Sequence, residues 1–245
     1  MATTVELLQG IIESKSVIAE ALRARGVEVG DAKLAELATM VSNLEGGFWS
    51  EDFIRALING SFNKLPKEAT LKLPDGLTKI KNYCFFSGLN VDTLVVPEGI
   101  TEIGHSAFYY SECSSITLPK SLKLISNNAL YGCTRLIELI IPDGVDNLAI
   151  NTGAMQLMNS LKKVHFGEGT KSIGTYVMTN TTKVEEMYVA STITSIGTVG
   201  IGTKEGASVT FAGRTMAEVQ AMAGYPWQIR TGSTIHCTDG YIVRT

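Results

Sequence analysis

The feature that most constrains this chain is a short apolar run ending in proline, which returns at a nearly fixed interval. Leu71-Lys-Leu-Pro74, Leu94-Val-Val-Pro97, Ile116-Thr-Leu-Pro119 and Leu139-Ile-Ile-Pro142 place their prolines 23, 22 and 23 residues apart. The pattern runs on without proline through Val164-His-Phe-Gly167, Met187-Tyr-Val-Ala190 and Val209-Thr-Phe-Ala212, at intervals of 25, 23 and 22. Other positions repeat in phase with this marker. Three residues after it stand Leu77, Ile100, Leu122, Val145 and Ile193, with Thr170 as the exception. Six residues after it stand Ile80, Ile103, Ile125, Leu148, Ile173 and Ile196. Near the end of each unit come Phe85, Phe108, Leu130, Met155, Met178 and Ile201. A unit this short cannot bury its own apolar edge, so the units must stack, each walling the next.

Each unit reads as one coil of a solenoid. The L-x-L-P piece is a short strand with alternate residues inward, and proline or a small residue ends it. Asp-Gly at 75–76 and 143–144, and Glu-Gly at 98–99 and 168–169, turn the chain. The aliphatic pair returns it and the aromatic closes the coil. With strands stacking at ~4.8 Å, about seven coils make a rod on the order of 30 Å long. Residues one and three before each marker point inward, so those two and four before point outward. Stacking turns the outward residues into two ladders: Thr and Ser dominate the first three coils, and later coils bring Glu138, Ile140, Lys163, His165, Glu186 and Tyr188. These six are the candidate binding residues, with Tyr188 and His165 as anchors, because contact patches favour aromatics and placed charges over small hydroxyls. The competing reading is an ordinary solvated sheet face.

The flanks differ from the repeat. Residues 1–46 carry two apolar stripes at helical spacing, broken by Arg25-Gly-Val-Glu-Val-Gly30, and predict a helical hairpin that docks or makes homo-oligomers. In 47–69, Ser50 caps a short helix that covers the open end of the first coil. In 213–245, Thr215 and Glu218 form a capping box for a helix over Met216–Ala223, and Thr234–Cys237 and Tyr241–Val243 flank Thr-Asp-Gly as a hairpin. The expected fold is therefore α+β: a solenoid at 70–212 with helical caps and an N-terminal helical hairpin.

Ile100-Thr-Glu-Ile-Gly-His-Ser-Ala-Phe108 and Leu130-Tyr-Gly-Cys-Thr-Arg-Leu136 resemble the BspA-like class of bacterial leucine-rich repeats, whose unit reads roughly LxLPxGLTxIGxxAFxxCxxL. Units four to six depart from it by losing the Ala-Phe pair, the cysteine and, after Pro142, the proline. The segments Ile18–Gly26 and Phe211–Trp227 resemble pieces of bacteriophage minor structural and tail-fibre proteins that carry such repeats. That resemblance implies a virion component at the tail, in contact with other tail proteins and with a host cell-surface glycan or protein.

Composition removes other classes. With 21 basic against 24 acidic residues, a net charge of −3 gives no basic surface for nucleic acid. No apolar run approaches the ~20 residues that span a bilayer, so no membrane insertion is expected. The N-terminus has no signal-peptide pattern, which fits a virion protein made in the host cytoplasm and released by lysis. The alternatives are a bacterial surface or secreted adhesin and a purely architectural virion part. Cys84, Cys113, Cys133 and Cys237 have no metal-ligand spacing and read as buried free thiols, with a Cys113–Cys133 bridge as the other option. His105, His165 and His236 have no ligating partners in sequence. Gly197–Lys204 looks like a phosphate loop but its spacing fails, and no nucleophile or dinucleotide motif is present. No enzyme activity, cofactor or metal is expected.

Overall fold

The computed structural model describes residues 70–73, 77–85 and 89–245. The helical hairpin expected at 1–46, the cap helix of 47–69, Pro74 and the Asp75-Gly76 turn lie outside the described residues.

Strands form on the apolar runs: β1 (Thr70–Lys72), β3 (Thr93–Val95), β5 (Ser115–Thr117), β7 (Glu138–Ile141), β9 (Lys163–Phe166), β11 (Glu186–Val189) and β13 (Ser208–Phe211). Their alternation decides the register. Leu71, Leu94, Ile116, Leu139, Val164, Met187 and Val209 are buried, while the residues beside them turn outward. The second side of each coil carries β2 (Lys79–Ile80), β4 (Glu102–Ile103), β6 (Leu124–Ile125), β8 (Leu148–Ile150), β10 (Thr170–Ile173) and β12 (Ser195–Ile196), all parallel in one continuous sheet. The third side is built of turns, yet it too is laddered. Phe85 N–H donates to Ala107 O at 2.8 Å, Phe108 to Ala129 at 2.8 Å, Leu130 to Ala154 at 2.8 Å and Met155 to Val177 at 2.9 Å. Between the three sides the in-phase hydrophobes form one column; the Phe85 and Phe108 rings stack 5.3 Å apart at 3°.

The spacing assigns Leu148 to the place held by Ile125 and Ile173. The register corrects this. Ile150 pairs with both, and Leu148 faces Thr170 across a bulge. The unit that contains them is the 25-residue one, and its extra length is taken up before Ile150, where Asn147 adopts a left-handed φ of 53°.

One corner of six successive coils is left-handed. Tyr83, Ser106, Asn128, Gly153, Tyr176 and Val199 all have φ between 51° and 68° and stand at equivalent positions. Asn and Gly are suited to this region, whereas a β-branched residue is strained there.

The first strand side is split. β1, β3 and β5 form a three-stranded sheet, and among the described residues no ladder joins β5 to β7. The seam is bridged by a side chain. Arg135 Nη1 donates to Glu112 O at 2.8 Å and Nη2 to Ser114 Oγ at 2.8 Å. Beyond the seam, β7, β9, β11 and β13 continue through two later strands, β14 (Thr234–Cys237) and β15 (Gly240–Val243), to a six-stranded sheet. β14 joins β13 parallel and β15 turns back antiparallel.

The α+β expectation is corrected in part. Among the described residues the fold is a β-solenoid with a single helix, α1 (Met216–Ala221). The other expected helices fall at 1–46 and 47–69, outside the described residues, and each described coil is built of short strands and turns. The capping box is present: Thr215 Oγ1 accepts from Glu218 N–H, and Glu218 Oε2 accepts from Thr215 N–H at 2.7 Å. The helix stops at Ala221 rather than Ala223, ahead of Gly224 at φ 83° and Pro226. Trp227 follows, stacks on Phe211 at 5.6 Å and donates its indole N–H to Ala223 O at 3.1 Å, covering the last coil.

Two substitutions test this account. Thr170 is fully buried and its hydroxyl has no hydrogen-bond partner among the described residues. Thr170→Val restores the aliphatic of the other units and should stabilise the chain by about 1 kcal/mol. In thermal denaturation that is a rise of about 2–4 °C. Val199→Asn, which copies Asn128 at the same corner, should relieve backbone strain and raise stability by about 1 kcal/mol. A lower melting temperature for it would show that Val199 contributes more by packing than it costs by conformation.

Candidate functional site

Parallel pairing brings the outward residues of successive coils side by side. One row reads Glu138, Lys163, Glu186, Ser208, Thr234; the next reads Ile140, His165, Tyr188, Thr210, His236. All six residues singled out in the sequence therefore stand together at the start of these rows. Five of them line a shallow depression of about 490 Å³, whose floor also includes Ser208 and Thr210. Ile140 stands beside it, 47% exposed.

The local chemistry follows from strand spacing. The imidazole of His165 and the phenol ring of Tyr188 lie in consecutive strands and stack 4.5 Å apart at 4°. His165 Nε2 is 3.3 Å from Asp143 Oδ1. The same carboxylate oxygen accepts the Glu168 N–H at 2.8 Å, and the Glu168 carboxylate in turn accepts the Ser191 N–H at 3.0 Å. The acid of one turn thus anchors the backbone of the next. The Glu168 N–H, and after it His165, hold the Asp143 carboxyl below the usual carboxylate range. Burial, then the charges of Glu168 and Asp143, push the Tyr188 phenol up. In the neighbouring row Lys163 Nζ meets Glu186 Oε2 at 2.9 Å, and this contact raises the Lys163 ammonium pKa. At the start of β11, Lys204 and Lys162 together lower the Glu185 carboxyl. The result is a flat aromatic pair bordered by a charged row of both signs.

Several members of this surface carry no signal in the sequence. Asp143 reads there only as half of an Asp-Gly turn, and its contact with His165 depends on how two coils overlay. His236 and Tyr241 sit in the C-terminal hairpin, where the repeat interval no longer runs, so nothing in the spacing places them at the end of the His165–Tyr188 row. Their pairing in the register, His236 with Tyr241 and Thr234 with Val243, does so. A separate aromatic group lies at a coil corner away from the strands: Tyr109 and Tyr131 stack at 4.6 Å and 8°, and Tyr110 meets both edge-on.

The four cysteines are free thiols, with Cys84, Cys113 and Cys133 buried and Cys237 half-buried. Burial pushes the Cys84 thiol up, and Cys133 is pushed up by its hydrogen bond with Cys113 and by burial. Among the described residues no three His, Cys, Asp or Glu side chains gather to hold a metal, and no helix is long and apolar enough to cross a membrane.

The in-phase positions match a known repeat. Six copies of the BspA type leucine rich repeat region match over residues 55–152 and 125–200, more than half of the chain. The chain belongs to that family. Among solved structures, the pneumococcal vaccine antigen PcpA overlays on these BspA-type coils with a TM-score of 0.57 at 21% identity, covering 78% of this chain and 46% of that one. The chain thus spans less than half the length of PcpA. A leucine-rich-repeat protein of T. pallidum follows at 15% identity and a TM-score of 0.44, covering 68% of this chain and 80% of that one. A leucine-rich cell surface protein of Faecalibacterium prausnitzii gives 20% identity and 0.36, over 65% and 53%. The likeness to PcpA is one of fold. No curated protein matches the chain.

The Asp143 contacts make a pH prediction. Its folded-state pKa is depressed, so its carboxylate adds stability above the unfolded value near ~3.9 and loses it as pH falls through the folded one. Asp143→Asn should therefore melt below wild type at neutral pH, and the two curves should converge below about pH 4. A gap that persists in acid would mean that the loss comes from geometry rather than charge.

Proposed function

We propose that this BspA-type chain is a non-enzymatic binding protein that holds a cell-surface glycan or protein on the ladder face of its six-stranded sheet. The observation that carries this reading is the His165–Tyr188 stack, 4.5 Å apart, set in a depression beside Glu138, Lys163 and Glu186. The rings are held by strand pairing and by Asp143, so little side-chain freedom remains to be lost on binding. A half-buried, pre-arranged aromatic pair next to charged groups suits a flat sugar face or a planar side chain of a protein ligand. The shallow site offers a surface rather than an enclosed pocket for chemistry.

Two settings have support. The likeness of Phe211–Trp227 to tail-fibre proteins favours a virion tail, where the chain would adjoin other tail proteins after synthesis in the host cytoplasm. The alternative setting is a bacterial surface adhesin, in keeping with the fold shared with PcpA, a pneumococcal vaccine antigen. Both use the same face.

The test is adsorption of the fluorescently labelled chain to a panel of bacterial and host cells, and to a glycan array. His165→Ala/Tyr188→Ala should stay folded, with at most a small drop in melting temperature from the lost Asp143 contact and ring stack, and lose roughly tenfold or more in adsorption. Adsorption that survives in a folded double variant rejects this face and moves the partner to the Tyr109–Tyr110–Tyr131 corner. No adsorption by the wild-type chain to any cell or glycan supports an architectural part instead.

A further inference from the structure

Among the described residues the solenoid ends in an uncovered sheet edge. β15 is the last strand of the six-stranded sheet. Its backbone phase follows from its neighbours. Thr234 N–H donates to Ala207 O at 2.8 Å, so Thr234 and His236 turn their backbone groups towards β13. Ile235 and Cys237 consequently turn theirs towards β15, where they oppose Ile242 and Gly240. Arg244 N–H, donating to Ser233 O at 2.9 Å, keeps the same phase. The N–H and C=O groups of Tyr241 and Val243 are left pointing away from β14, and among the described residues nothing bonds to them.

The side chains make this edge adhesive. Tyr241 is 65% and Val243 50% exposed. The strand Gly240-Tyr-Ile-Val243 has no lysine, proline or other charged residue. Those are the devices by which edge strands are ordinarily kept from pairing.

We infer that β15 is a docking edge for a second copy of this chain, the two copies pairing antiparallel about a two-fold axis at Ile242. The strand is its own complement in this register. Its two edge-facing residues flank one central residue, so Tyr241 meets Val243 of the second copy and Val243 meets its Tyr241. Each of these pairs exchanges both backbone bonds, and Ile242 faces its counterpart on the axis. Tyr241 against Val243 is an aromatic–β-branched pair, among the favourable cross-strand combinations. The register also continues both outward rows without a step, so the sheets of the two copies become one. This association is independent of what the ladder face binds.

The test uses the full chain. Light scattering and sedimentation across a wide concentration range should show an assembly that the variant Tyr241→Lys/Val243→Lys halves in chain number, because the register sets lysine opposite lysine. Circular dichroism and melting of the variant should match wild type. Hydrogen exchange of the wild-type chain gives the register without substitution: the Tyr241 and Val243 amides should be protected at high concentration and exchange freely on dilution. A wild-type chain that stays monomeric throughout overturns the proposal. So does an assembly of equal size in wild type and a folded variant, or one in which those two amides exchange freely.

Discussion

Every coil is hydrogen-bonded to the next at a strand spacing, and that single distance governs the rest of the molecule. A side chain at one position in a coil meets the residue at the same position in the following coil, whether it points in or out. Inside, this turns a modest apolar edge into a continuous column of Phe, Leu, Ile and Met. At the bends it forbids volume. A Cβ on Gly104 would stand 2.7 Å from Asn82 N, and one on Gly197 would stand 2.7 Å from the Gly174 carbonyl carbon. Gly197–Lys204, which resembles a phosphate loop when read alone, is thus part of a stacking bend. Outside, the same distance places His165 against Tyr188 and Lys163 against Glu186.

What the sequence makes legible is whatever repeats. The inward residues, the outward rows and the six candidate residues follow from counting, because a solenoid converts sequence phase into spatial adjacency. Thr170 is conspicuous for the same reason, as the one polar residue in an aliphatic column, and it is buried with an unsatisfied hydroxyl. Features that depend on breaks in phase are not legible. The spacing assigns Leu148 to a place that Ile150 occupies, because the longest unit takes up its extra residues in the turn ahead of β8, while the bulge lies in the next unit, between Thr170 and Ser172. The hairpin at Thr234–Val243 signals two strands but not the sheet they join, since α1 and the Trp227 turn intervene after β13. The Asp143–His165 contact lies between a turn and a strand of different coils, and no pattern within one unit encodes it.

The two halves of the outward surface differ in chemistry and in backbone. Before the seam, the three-stranded sheet presents chiefly Thr and Ser. After it, the six-stranded sheet presents the charged row and the ring pair, and runs on to His236 and Tyr241. The proposed binding face and the self-pairing edge belong to the same sheet. Pairing two copies through β15 would place two such faces on one surface, which raises the effective concentration of the second contact once the first is made.

The seam between β5 and β7 has a mechanical meaning. At that level the backbone ladders of the other two sides are unbroken, with Ile125 paired to Ile150 and Leu130 N–H bonded to Ala154 O at 2.8 Å. On the strand side the load passes instead through side chains such as Arg135, next to Ile137, which is 54% exposed. A rod tied on two sides and loosely laced on the third is stiff towards closing and compliant towards opening. Bending would therefore concentrate at one level, and the stretch carrying the ring pair would swing as a rigid plate about the first three coils.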